Sequence, residues 1–227
     1  MKKSDMEKVL EKIRSFQDIP SYDELVTFIE FVETNWYDKL DEALEQKKSS
    51  FEYDWYETTW STICSKHRQY QVLNSDFVYR LADELEAHKQ PIVELCAGNG
   101  KLSYHLRKRG INIIPTDDFS WTMKRERFVE RLSYDDAIRK YQPETALVSW
   151  CPNETSLRGM LDSGIRNLFY IGEEIGGSTG LTNNVISKYS FDYRFNIHPL
   201  IGMKGINISD FMADYNHTLV ASFEKRY

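Results

Sequence analysis

Residues 91–118 constrain the fold of this chain more than any other stretch. They read as a buried strand, a glycine turn, a helix, a second strand and then an acidic pair. The apolar run Ile92-Val93 ends in Glu94, and Gly98-Asn99-Gly100 leaves room for the backbone to approach a ligand closely. Leu102, His105 and Leu106 keep helical spacing behind the turn, so that helix is expected to aim its amide donors and positive dipole end over the glycines. Gly110 stops the helix, Ile111 to Ile114 make the next strand, and Asp117 falls where nucleotide-binding α/β folds place a ribose-binding carboxylate.

A dinucleotide fingerprint needs Gly-x-Gly-x-x-Gly or Ala, and counting from Gly98 brings Ser103 to the third small position, which it fills only roughly. The other template, acidic-x-Gly-x-Gly-x-Gly, is met by Glu94-Leu95-Cys96-Ala97-Gly98-Asn99-Gly100 with Cys96 in place of the first glycine. This segment resembles motif I of the class I S-adenosylmethionine-dependent methyltransferases, in which Asp/Glu-Leu-Cys-x-Gly-x-Gly is a familiar variant.

The resemblance runs over residues 76–227. Ser133-Tyr134-Asp135-Asp136-Ala137 carries an N-cap signal opening a short helix towards Tyr141. Ala146 to Trp150 reads as a buried strand ending in Cys151-Pro152-Asn153, the place of the family's motif IV, whose end faces the transferring methyl group. Asn167 to Glu173 reads as a fifth strand with a glycine-rich turn, 176–178, behind it, and His217 to Phe223 suits the terminal strand that this family inserts antiparallel between its neighbours. Alternation of strands and helices argues independently for an open, doubly wound, mostly parallel sheet; the resemblance makes it seven-stranded and Rossmann-like.

The resemblance also implies a cofactor, S-adenosyl-L-methionine, and where it binds. Glu94 would organise the glycine loop and the cofactor's amino-acid end, with Ala97, Gly98, Asn99 and Gly100 forming the loop itself. Asp117 would take both ribose hydroxyls, since a carboxylate accepts two hydrogen bonds at once. Asp118 is the one-residue alternative and could instead cap the following segment. Ser133 lies where the family contacts the adenine amino group, with helix capping an equal account, and Ser149 and Trp150 border the methyl. Phe119 and Trp121 are candidates to pack on adenine or to be core. The fourth-strand end keeps one polar residue and one proline where amine and amide methyltransferases carry Asp/Asn/Ser-Pro-Pro-Tyr/Phe, so the acceptor atom is left open. Glu173, Glu174 and His198 are candidate proton acceptors; no catalytic residue is assigned and no metal is expected.

The first 75 residues form a different region. Helices are expected near residues 4–16 and from Tyr22 to Gln46, separated by Pro20-Ser21, with Leu25, Phe28, Ile29, Val32 and Trp36 on an amphipathic stripe. An aromatic segment, Phe51 to Trp60, then either welds this helical layer to the sheet or forms a lid over the substrate pocket. A further helix from Asp76 to Ala87 leads into the first strand.

Composition bounds the partners. The net charge of −6 argues against duplex nucleic acid, and the short basic runs Arg107-Lys108-Arg109 and Lys124-Arg125-Glu126-Arg127 read as solvated helix faces. Cysteines at 64, 96 and 151, odd in number and far apart, fit neither a disulfide framework nor a zinc cluster and suit the cytoplasm. With no long apolar run, no membrane partner is expected. The expected function is methyl transfer to a small-molecule acceptor. Two alternatives stand: a catalytically silent methyltransferase-like scaffold, and a nicotinamide-dependent oxidoreductase using the same strand–glycine–helix element.

Overall fold

Parallel strands covered on both faces need mostly apolar side chains, and the central segments of this chain provide them, with Glu94 and Thr145 as buried polar exceptions. Ile92–Leu95 (β1) is buried at all four residues, and Thr145–Ser149 (β4) is buried at its first four. The structure, a computed structural model, describes residues 3–15, 17–21, 23–25, 27, 73–121, 125–151, 153–173, 181–197 and 218–224. The chain divides into two compact units, 1–77 and 78–227.

In the first unit, Lys3–Arg14 forms α1. After Pro20, Ser21 and Glu24 make a reciprocal capping box: Glu24 N–H donates to Ser21 Oγ (3.2 Å) and Ser21 N–H donates to Glu24 Oε2 (2.8 Å). This opens the helical turn at Asp23–Leu25. Most of the expected helix over 22–46 and the whole aromatic segment 51–60 lie outside the described residues, as do the turn at 176–178, Glu174 and His198.

Ser75–Glu86 (α2) is capped by Asn74, whose Oδ1 accepts from Phe77 N–H (2.9 Å). In the second unit β1 is followed by Lys101–Lys108 (α3), Ile113–Asp117 (β2), Glu130–Arg131 (β3), Tyr134–Tyr141 (α4) and β4. Glu154–Asp162 (α5), Asn167–Glu173 (β5), Asn183–Lys188 (α6), Ser190–Ile197 (β6) and Thr218–Glu224 (β7) complete it. The strand order is β3-β2-β1-β4-β5-β7-β6. β3 is a two-residue addition outside β2, pairing Thr116 with Glu130 and Asp117 with Arg131. Pairing from β3 to β5 is parallel, whereas β7 runs antiparallel to both β5 and β6. The expectation of an α/β fold with a mostly parallel sheet is met.

Helices cover both faces. On one, Val93, Leu95, Ala146, Val148 and Tyr170 pack with Ala137 of α4, Leu157, Met160 and Leu161 of α5 and Val185 of α6. On the other, Ser103 of α3 meets Glu94, and His88, after α2, stands edge-on to Phe169 at 4.9 Å. After β2 and β3 on one side of β1 the chain crosses to β4 on the other, so the topological switch point lies between the carboxyl ends of β1 and β4. No helix among the described residues is long and apolar enough to cross a membrane.

The second strand starts later than its apolar run suggests. Gly110 (φ 89°) and Ile111 close α3 in a Schellman motif, with Gly110 N–H on Arg107 O (3.0 Å) and Ile111 N–H on Leu106 O (3.1 Å). Strand geometry therefore begins at Ile113 and carries on to Asp117.

Candidate functional site

The carboxyl end of β1 turns into α3 through a loop in which every other residue is left-handed: Cys96 (φ 56°), Gly98 (φ 58°) and Gly100 (φ 80°). Cys96 thus takes a backbone conformation that favours glycine, at roughly 1–2 kcal/mol for a side chain with a Cβ. Its thiol is pushed up to about 12 and that of Cys151 to about 11, in both cases chiefly by burial, which keeps both protonated and unreactive.

The loop spends its amides internally. Ala97 N–H donates to Thr116 O (2.9 Å), Gly98 N–H to Asp117 Oδ2 (2.9 Å), Gly100 N–H to Ala97 O (3.0 Å) and Lys101 N–H to Asn99 Oδ1 (2.9 Å). The expected spray of donors towards a ligand is, at these four positions, an internal brace. Gly100 also differs from expectation: a Cβ there would overlap Val129 Cγ2, so the space is filled by protein from the 126–129 turn. That turn is pinned by Glu126 N–H on Asn99 O (3.0 Å).

Glu94 explains how α3 is held. The helix begins at Gly100, which has no side chain to cap it. The Glu94 carboxyl, 1% exposed, accepts from the Ser103 hydroxyl and backbone N–H, serving as a cap from the neighbouring strand. Ser103, at the third small position, therefore supplies donors as well as close packing. Burial pushes the Glu94 carboxyl up to about 7 despite these bonds. It faces α3, where Ser103 is its partner. Lys101, next to Gly100, is also buried, which brings its amine down to about 8.

Asp117 closes β2 beside this loop. Its Oδ2 accepts Gly98 N–H, and its Oδ1 accepts Phe119 N–H (2.9 Å) and Arg125 Nη2 (3.2 Å). Arg125 is far from a solvated helix face: it lies outside any helix, and the Arg125 and Asp117 side chains are 12% and 13% exposed. Its guanidinium lies 4.3 Å from the centre of the Phe119 ring and donates to Trp121 O (2.5 Å). Arg107 likewise leaves the solvated role, with Nε and Nη2 on Ile113 O at 2.9 and 2.7 Å. Asp118 is exposed and accepts Ser120 N–H (2.8 Å), which holds its carboxyl below the usual range; it caps the next segment. Trp121 is exposed rather than core.

Ser133 is the N-cap of α4, its Oγ accepting Asp136 N–H (3.1 Å). Leu132 N–H on Asp117 O (3.0 Å) keeps that helix start at the same edge of the sheet. Ser149 ends β4, and Trp150 follows in the left-handed region (φ 58°) with its N–H on Ile171 O (2.7 Å). Asn153 then caps α5 by accepting Ser156 N–H (2.8 Å), a role signalled by residue type but unread in the sequence.

The structure thus gathers Glu94, Ala97, Gly98, Asn99, Gly100, Asp117, Ser149 and Trp150 at the carboxyl ends of adjacent strands. Sequence reasoning missed Arg125 and Val129, which touch this site from a loop with no motif. Three of the four left-handed non-glycine residues described, Cys96, Phe119 and Trp150, follow β1, β2 and β4. Such strain gathers where structure is shaped for a ligand. Among known proteins, no family model and no curated sequence matches this chain.

Proposed function

We propose that this protein binds S-adenosylmethionine at the carboxyl edge of β2, β1 and β4 and transfers its methyl group to a small-molecule acceptor. The observation that carries the reading is the run of left-handed residues ending three adjacent parallel strands at the switch point, where open α/β sheets bind their ligands. Support comes from the strand order, with β7 antiparallel between β5 and β6, an arrangement compatible with the Rossmann-like sheet of the class I methyltransferases.

The residues present fit an adenosyl ligand. Asp117 stands beside the glycine loop with a lone pair on Oδ2 open to a ribose hydroxyl, since a carboxylate has about four acceptor sites. When bound, S-adenosylmethionine supplies a carbon activated by a sulfonium, so the protein's task is positioning. Glu94 fixes α3 and with it the loop, Asp117 orients the ribose, and Ser149 and Trp150 form the border on which an acceptor is presented.

Calorimetric titration with S-adenosylhomocysteine tests the reading. The parent protein should bind it, and Gly98→Val, shown to be folded by circular dichroism, should not. The four internally bonded loop amides favour one second reading, a methyltransferase-like scaffold that holds no cofactor. Absence of binding by the parent would support that scaffold, while heat released only with a nicotinamide dinucleotide would point to the oxidoreductase.

A further inference from the structure

We infer that Arg125 is the affinity- and specificity-determining residue of the nucleoside site, holding the acceptor atom that a ribose diol needs. The inference rests on the adenosyl reading above and deepens it. A diol is held best when each hydroxyl donates to a different carboxylate oxygen. Asp117 cannot offer that arrangement as it stands. Its Oδ1 has two partners, Phe119 N–H and Arg125 Nη2, while Oδ2 has one, Gly98 N–H.

The two amides belong to the backbone of a braced loop and turn, so they stay. Arg125 is the partner that can leave, by rotation of its own side chain. It is held by more than the ion pair, however: Nη2 also donates to Trp121 O and the guanidinium lies over Phe119. One ribose hydroxyl therefore finds an open acceptor on Oδ2, and the second must displace a partly buried, charge-assisted hydrogen bond. The competent state is only part of the population, and the apparent affinity is lowered by that fraction.

The test compares parent and Arg125→Met, which keeps an apolar stem over Phe119 but removes charge and donors. Each is titrated calorimetrically with S-adenosylhomocysteine and with its 2′-deoxy analogue. Arg125→Met should bind S-adenosylhomocysteine about tenfold tighter, the scale of one charge-assisted hydrogen bond. It should also discriminate more strongly than the parent against the deoxy ligand, because the second hydroxyl now meets an Oδ1 that keeps Phe119 N–H but has lost Arg125. That ratio would not move if Arg125 merely stabilised the fold. Arg125→Gln serves the same comparison if the methionine variant does not fold.

Parent and variant binding S-adenosylhomocysteine equally, or the variant more weakly, would overturn the inference and leave the functional reading standing. An unchanged deoxy ratio would overturn it likewise. If neither parent nor variant binds S-adenosylhomocysteine, the functional reading falls and this inference with it.

Discussion

Gly100 is the position where backbone and packing demands coincide, and Gly100→Ala separates them. The residue sits at φ 80°, and a Cβ would run into Val129 Cγ2. An alanine forced into the left-handed region costs about 1–2 kcal/mol. Overlap with a buried, β-branched neighbour that is stiff at χ1 adds about 1–3 kcal/mol. The variant should therefore lose on the order of 2–5 kcal/mol, a large share of a typical domain's stability. Gly110→Ala is the control: φ is 89°, yet nothing lies within 4 Å of a Cβ there, so only the backbone part should appear. Urea unfolding followed by tryptophan fluorescence reads both losses. Placing Gly100→Ala in a Val129→Ala background should recover the packing part, giving a coupling of about 1–3 kcal/mol in the double-mutant cycle. Equal losses at 100 and 110 together with strict additivity would refute the claim that Val129 occupies the space over the glycine turn.

Glu94 holds its proton more tightly folded than unfolded, because its acidity drops from an ordinary 4.5 to about 7 on burial. Its contribution to stability is thus full below pH 4.5 and lost as pH rises through about 7. Glu94→Gln should flatten that slope, gaining on the order of 3 kcal/mol relative to the parent between pH 5 and pH 8 in urea unfolding; identical slopes would contradict it. Asp117→Ala should weaken S-adenosylhomocysteine about a hundredfold and speed hydrogen exchange at the Gly98 amide, whereas Asp118→Ala should change neither; the reverse pattern would put the ribose one residue on. In α5, a Cβ on Gly159 would stand 3.0 Å from the Tyr134 hydroxyl, so Gly159→Ala should be near neutral alone and stabilising by about 1 kcal/mol once Tyr134→Phe removes that oxygen, as thermal melts will report.

Much of the sheet was legible because buried parallel strands announce themselves as apolar runs. The fifth strand matched its reading from Asn167 to Glu173, and α4 began behind Ser133 as its capping pattern implied. The second strand was misjudged because Ile111 is apolar for a different reason, as the residue following a Schellman glycine. At the site, Asp117 could be placed from spacing, but its partner could not. Arg125 lies in a charge run indistinguishable from solvated surface, and only the folded loop lays it over Phe119. The left-handed Phe119 and Trp150 were equally silent, since their conformations are imposed by bonds to Asp117 Oδ1 and Ile171 O rather than by residue type.

The placement of β7 has a consequence for how this chain is made. The strand that pairs with both β5 and β6 is later in sequence than either. While a ribosome is still producing residues beyond Ile197, β5 has one bare edge and β6 lacks the strand it pairs with among the described residues, so two rows of backbone donors and acceptors wait together. Bare edges of this kind recruit strands from other molecules. Translation that stalls short of Thr218 should therefore yield a chain that depends on chaperones to stay dispersed, although its glycine loop and first four strands have already been synthesised.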